Sequence, residues 1–162
     1  MTICPGNLLP EATLMAIGEN GPEPVSLAEK TKDRKIVLFG LPGAYTSTCT
    51  ATHLPSIIRN IDKFKTKGVD EVICVSVNDP FVVKAWAEST GAEDAGITMV
   101  SDPSSAFTKS LDLAFNKPEI GFFNRSKRYA MLVENNKILL FHLEKEVSIC
   151  DITGAEKLLK EI

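Results

Sequence analysis

Runs of apolar residues, and the polar punctuation between them, divide the chain into elements. Residues 35–40 (Lys-Ile-Val-Leu-Phe-Gly) and 71–77 (Glu-Val-Ile-Cys-Val-Ser-Val) are almost continuously apolar, as strands covered on both faces are. Between them Leu54, Ile57, Ile58, Ile61 and Phe64 recur at spacings of three and four. This predicts a helix with Cys49 in its first turn, running to about Lys67 and stopped by Gly68. Pro55 falls inside it and predicts a kink, because proline offers no backbone N–H. Strand, helix, strand in this order makes a right-handed crossover with the two strands parallel. Asn78-Asp79-Pro80 reads as a cap and first-turn proline for a helix over 81–89, and Ser101-Asp102-Pro103 repeats that signal for a helix near 104–113. A short strand at 97–100 lies between them. Residues 13–17 predict a short strand entering a turn at Asn20-Gly21, within a segment otherwise broken by Pro5, Pro10, Pro22 and Pro24. Residues 114–127 show no period and predict a loop. Residues 128–134 and 137–144, joined by Asn135-Asn136, predict a hairpin, and 153–161 a closing amphipathic helix. The order predicts an α/β fold, a central mixed sheet with helices on both faces, in one domain over residues 1–162.

Composition narrows the partners. At 162 residues and 44% hydrophobic, the chain suffices for one well-formed core. A net charge of -3 and the absence of a long basic run point away from nucleic acid and from anionic membrane, and the short run Arg125-Ser126-Lys127-Arg128, read alone, is a solvated basic cluster. No apolar run approaches the roughly 20 residues that span a bilayer. The first basic residue is Lys30 and no apolar leader precedes it, so a cytoplasmic protein is expected. Mitochondrial or peroxisomal forms stay compatible if a presequence was removed. Cys4, Cys49, Cys74 and Cys150 are far apart and form no CxxC pair, neither a zinc pattern nor a dense disulfide framework. No metal or cofactor is expected.

Chemistry concentrates around Cys49. It lies where an apolar strand passes through Pro42-Gly43 into the first turn of a helix. Backbone N–H groups there lack intrahelical partners, and the helix dipole favours the thiolate, the reactive form of cysteine. A thioredoxin-like exchanger needs a second cysteine in the same turn to resolve its mixed disulfide. The residue three before Cys49 is Thr46, which can hydrogen-bond a thiolate or its substrate but cannot resolve a disulfide. Thr46 also fits a helix cap. His53, four residues on, shares a helical face with Cys49 and reads as a structural or supporting histidine. Cys74 reads as inert core and Cys4 as incidental.

The element order is similar to an elaborated thioredoxin fold. Pro42-x-x-x-Thr46-x-x-Cys49 resembles the signature of peroxiredoxins, and Gly40-Leu41-Pro42-Gly43-Ala44-Tyr45-Thr46 resembles their Prx5 (type II) subfamily. Collinear blocks extend the resemblance: Cys49-x-x-x-His53-Leu54-Pro55, the run 68–81, Ala85-Trp86, Asp102-Pro103 and Lys127-Arg128-Tyr129-Ala130-Met131. Tyr45, Ser47 and Ser56-Ile57 depart from the subfamily pattern without removing a polar catalytic group.

The resemblance implies a thiol-dependent peroxidase acting on hydrogen peroxide, alkyl hydroperoxides and peroxynitrite. Cys49 would attack and become a sulfenic acid, Thr46 would orient the peroxide and Arg128 would polarise the O–O bond. Pro42 would limit water access. The backbone N–H groups of Gly43 and Cys49 would bind oxygen, and an apolar collar drawn from Phe115, Phe122 and Phe123 would line the pocket. Cys150 resembles the resolving cysteine of members that form an intramolecular disulfide, with thioredoxin as reductant and a homodimer compatible with the family. Two alternatives stay open: a one-cysteine peroxidase recycled by glutathione or glutaredoxin, and a redox-switched signalling or binding protein.

Overall fold

The computed structural model describes residues 3–162. Two apolar strands set its centre, β3 (Lys35–Leu41) and β4 (Glu71–Ser76), paired in parallel from Ile36↔Glu71 to Leu41↔Ser76. Their residues alternate between two cores. Val37, Phe39, Leu41, Val72 and Cys74 face one side, and Ile36, Leu38, Ile73 and Val75 the other. Each face must then be covered by helix.

Five further strands extend the sheet: β1 (Thr13–Gly18), β2 (Gly21–Ser26), β5 (Ile97–Ser101), β8 (Tyr129–Glu134) and β9 (Lys137–Leu143). The order is β2-β1-β5-β4-β3-β8-β9, parallel through β5-β4-β3 and antiparallel outward on both sides. β2 was not evident from the sequence because Pro22 and Pro24 lie in it. It holds the sheet edge, where a missing N–H costs no ladder bond. The hairpin at Asn135-Asn136 forms as expected, both residues taking left-handed φ values of 45° and 66°.

The helix α2 (Leu54–Thr66), with α3 (Pro80–Thr90) and α5 (Ala155–Leu159), covers the Phe39 face through Leu54, Ile57, Phe64, Trp86, Ala155 and Leu158. On the opposite face lie α1 (Leu27–Thr31) and α4 (Ala106–Ser110), with Leu27 and Phe107 buried. α3 begins as predicted, with the Asp79 side chain accepting from Val82 N–H at 3.0 Å. α4 is shorter than the 104–113 expectation. Ser105 is left-handed at φ 61°, and the Asp102 carboxylate instead accepts from Phe107 and Thr108 N–H.

Two differences bear on the site. The kink expected at Pro55 takes the form of a π-helical turn over Cys49–His53, where Leu54 N–H bonds to Cys49 C=O, one residue wider than an α-turn. Residues 114–127 are a second, two-stranded sheet rather than a loop: β6 (Ala114–Lys117) and β7 (Phe122–Ser126), antiparallel. Its asparagines, glycine and lysines gave no period-two signal.

Candidate active site

The end of β3 delivers Pro42 and Gly43 to a turn that closes at Thr46. Asn78, just past β4, pins it: its Oδ1 accepts from Ala44 N–H at 2.9 Å and from Ser76 Oγ at 2.6 Å. Tyr45 sits in this turn at φ 63°, a left-handed strain that the fixed neighbours sustain, with its ring exposed. The Thr46 hydroxyl donates to Gly43 C=O at 2.7 Å, while Thr46 C=O takes the first helical bond from Thr50 N–H at 3.0 Å. Thr46 therefore stands at the cap position, but its side chain secures the turn.

Cys49 is fully buried. Its Sγ accepts from Arg128 Nη2 at 3.2 Å, across 79 residues of sequence. Arg128, on the connection between β7 and β8, is only 1% exposed and its donors are nearly all spoken for. Nη1 donates to His53 Nδ1 at 3.0 Å, and Nη2 and Nε donate to Val147 C=O at 2.8 and 3.3 Å. The basic run 125–128 is thus not one solvated cluster.

His53 completes this arrangement. Arginine can only donate, so Nδ1 accepts; Thr153 C=O can only accept, so Nε2, 3.1 Å away, carries the proton. The ring is neutral by its bonding alone. Burial first, and the Arg128 charge second, hold its pKa at about 3, against a raising contribution from the Thr153 bond.

Above Arg128 lies a pocket of about 140 Å³, bounded by Pro42, Thr46, Phe122, Arg128, Val147 and Ser148. Phe122 lines it and Phe115 packs edge-on behind at 6.2 Å, whereas Phe123 is 61% exposed and does not line it. The structure thus gathers Pro42, Thr46, Phe122 and Arg128 at one opening, with Cys49 against Arg128. Cys74 is buried in the same cluster as Cys49, its thiol pushed well up, chiefly by burial. Cys150 is half-buried, and burial raises its thiol too. Cys4, Cys49, Cys74 and Cys150 are all free thiols.

Four participants were not recognised in the sequence. Arg125 donates to Pro42 C=O at 3.0 Å and lies 4.9 Å over the Phe122 ring, filling the space where a side chain at Gly43 would stand. Val147 and Ser148 form a wall of the pocket, the latter accepting from Thr48 Oγ1 at 2.9 Å. Glu144, buried beside β9, binds the segment that follows it. Nothing local in the sequence marked any of them.

A buried thiol against an arginine, with no second cysteine in its turn, at the start of a helix on a thioredoxin-like sheet, defines a thiol-dependent peroxidase rather than a dithiol exchanger. Residues 5–159 match the redoxin family. The mitochondrial peroxiredoxin-2F of Arabidopsis thaliana is 46% identical over 84% of this chain and 67% of its own length. Among solved structures, reduced Prx3 from Vibrio vulnificus in complex with H2O2 superposes with a TM-score of 0.91 at 38% identity, covering 99% of each chain. Peroxiredoxin 5 from Alvinella pompejana superposes with a TM-score of 0.79 at 31% identity, over 90% of this chain and 92% of that one. The chain belongs to the redoxin family, as a peroxiredoxin of the type II (Prx5) group.

Proposed function

We propose that this peroxiredoxin reduces hydrogen peroxide and alkyl hydroperoxides, with peroxynitrite as a further substrate, through Cys49. The observation that carries the assignment is the 3.2 Å contact from Arg128 to Cys49 Sγ beneath a small pocket. The thiolate attacks one peroxide oxygen, the S–O bond forms as the O–O bond breaks, and the departing alkoxide or hydroxide takes a proton to leave as alcohol or water. Arg128 supplies fixed donors to the sulfur and to the oxygen on which charge develops. The Thr46 proton is committed to Gly43 C=O, so its lone pairs face the peroxide O–H and select its orientation. Pro42 and Phe122 shield the reacting atoms from water, while Gly43 and Cys49 N–H groups offer further oxygen contacts. The peroxide seen with the Vibrio protein supports hydrogen peroxide as a substrate here.

Cys150 then attacks the Cys49 sulfenic acid: an S–S bond forms, hydroxide departs, and it takes the Cys150 proton to leave as water. Thioredoxin reduces the disulfide. The one-cysteine alternative, recycled by glutathione or glutaredoxin, draws on the half-buried, raised Cys150 thiol and on the bonds that hold its segment. A cytoplasmic setting and a homodimer remain part of the proposal.

Rapid mixing of reduced protein with peroxide tests the first step. Trp86 shares the core cluster of Cys49 and its indole donates to Thr50 at 3.1 Å, so its fluorescence reports the site. Oxidation no faster than that of a free thiol, or unaffected by Cys49→Ser, would refute the peroxidase reading. For the second step, Cys150→Ser should preserve the first turnover and slow thioredoxin-dependent recycling. Normal steady-state turnover in that variant would leave the one-cysteine enzyme standing.

A further inference from the structure

Residues 145–152, which carry Cys150, contain no helix or strand. Among the described residues, no backbone–backbone hydrogen bond ties them to the rest of the fold; Ile149 N–H to Glu146 C=O stays within the segment. Side chains hold the segment instead, at two anchors. Before Cys150, Val147 and Ser148 offer carbonyls to Arg128 and Thr48. After it, Glu144 Oε1 accepts from Asp151 N–H at 2.7 Å, Thr153 N–H at 2.9 Å and Thr153 Oγ1 at 2.9 Å. Glu144 is 8% exposed and makes no ion pair among the described residues. A carboxylate buried without a cation is costly unless donors satisfy it, and here the segment itself provides them.

The two anchors differ in kind. Arg128 also serves Cys49, so its hold on Val147 changes when Cys49 gains an oxygen. Glu144 touches neither Cys49 nor Arg128 by its side chain; its only link to them runs through Thr153, whose carbonyl accepts from His53, so its hold is the less sensitive of the two to the state of Cys49. We infer that Glu144 is the clasp that keeps the Cys150 segment seated on the active site and sets the rate at which Cys150 leaves it. In its consequence for turnover this rests on Cys150 being the resolving thiol. The Cys49 sulfenate either is captured by Cys150, losing hydroxide, or attacks a second peroxide, giving a sulfinate and an alcohol. A looser clasp favours the first outcome and a tighter one the second.

The test uses the full chain with Glu144→Gln, which keeps the shape and halves the strength of charge-assisted bonds. In the reduced protein, amide exchange over 145–153 and alkylation of Cys150, both read by peptide mass spectrometry, should accelerate about tenfold or more. Exchange in α2 should stay as in the parent, which separates release of the segment from general loosening of the fold. Thr153→Val, which removes only the hydroxyl donor, should act in the same direction to a smaller extent, and serves if the first variant does not fold. Unchanged labelling of the segment, or equal acceleration throughout α2, would overturn the clasp.

A second arm adds one equivalent of peroxide, then excess. With Cys150 resolving, the glutamine variant forms the Cys49–Cys150 disulfide faster and accumulates less sulfinic acid. If neither protein forms that disulfide while segment labelling still accelerates, the resolving assignment falls and the clasp stands.

Discussion

Mild acid should weaken this fold through one residue, His53. The ring is fully buried, neutral by its hydrogen bonds, and held at a pKa of about 3 against an ordinary 6.5. The folded value is the lower one, so the unfolded chain takes up the proton first. Stability is therefore complete above the unfolded value and is lost as pH falls from 6.5 toward 3. Between about pH 7 and about pH 5 the linkage amounts to about 2 kcal/mol from this group alone. That is a large share of the roughly 5–15 kcal/mol that holds a typical domain together. The assay is urea unfolding of the reduced protein at both pH values, beside His53→Gln. Glutamine does not titrate, so the variant should lose about 2 kcal/mol less than the parent over the interval, whatever its stability at neutral pH. Equal losses in the two proteins would refute the reasoning, showing that the imidazole is not held neutral by burial beside Arg128.

Other substitutions probe the remaining contacts. Arg128→Met removes the donor on Cys49 Sγ and should slow the first turnover with peroxide by about 10²–10³ in stopped-flow fluorescence. Arg125→Ala frees Pro42 C=O and uncovers Phe122, and should slow the same step by about tenfold through misplacement of the pocket wall, with Cys49 chemistry retained. Burial pulls Glu156 upward, but hydrogen bonds from Ser56, its own N–H, Arg59 and Asn60 outweigh it and hold its pKa at about 2. Its contribution is complete above the ordinary 4.5 and vanishes as pH falls toward 2, so Glu156→Gln should lower the melting temperature near neutrality and have no effect on it at the acid limit.

Much of the scaffold follows from local pattern because strands buried on both faces cannot hide it. The runs at 35–40 and 71–77 needed apolar residues at nearly every position, and the helix after Cys49 showed its covered side at spacings of three and four. Cap-and-proline chemistry located α3 well, but misjudged α4, where the Asp102 carboxylate reaches past Pro103 to amides five and six residues on. The β6–β7 hairpin escaped notice because strands that lie on the protein rim carry polar residues on both faces, leaving no alternation to read.

The sequence by itself determined that a single cysteine, with threonine three residues before it, begins a helix after a buried strand. That excluded an in-turn dithiol, and Pro42, Thr46, Cys49 and Arg128 together carried the family resemblance that implied peroxide chemistry. The surroundings of the sulfur came from the folded chain alone. Arg128 reaches Cys49 from 79 residues away, His53 is neutral because arginine and a carbonyl flank its ring, and Arg125 is a pocket brace rather than part of a solvated run. Each depends on donors and acceptors from distant segments meeting in a desolvated space, where an unmatched group would be costly. Spacing along the chain carries no trace of such meetings. The attachment of the Cys150 segment by Glu144 is of the same kind, a contact of side chain to backbone that no periodicity encodes.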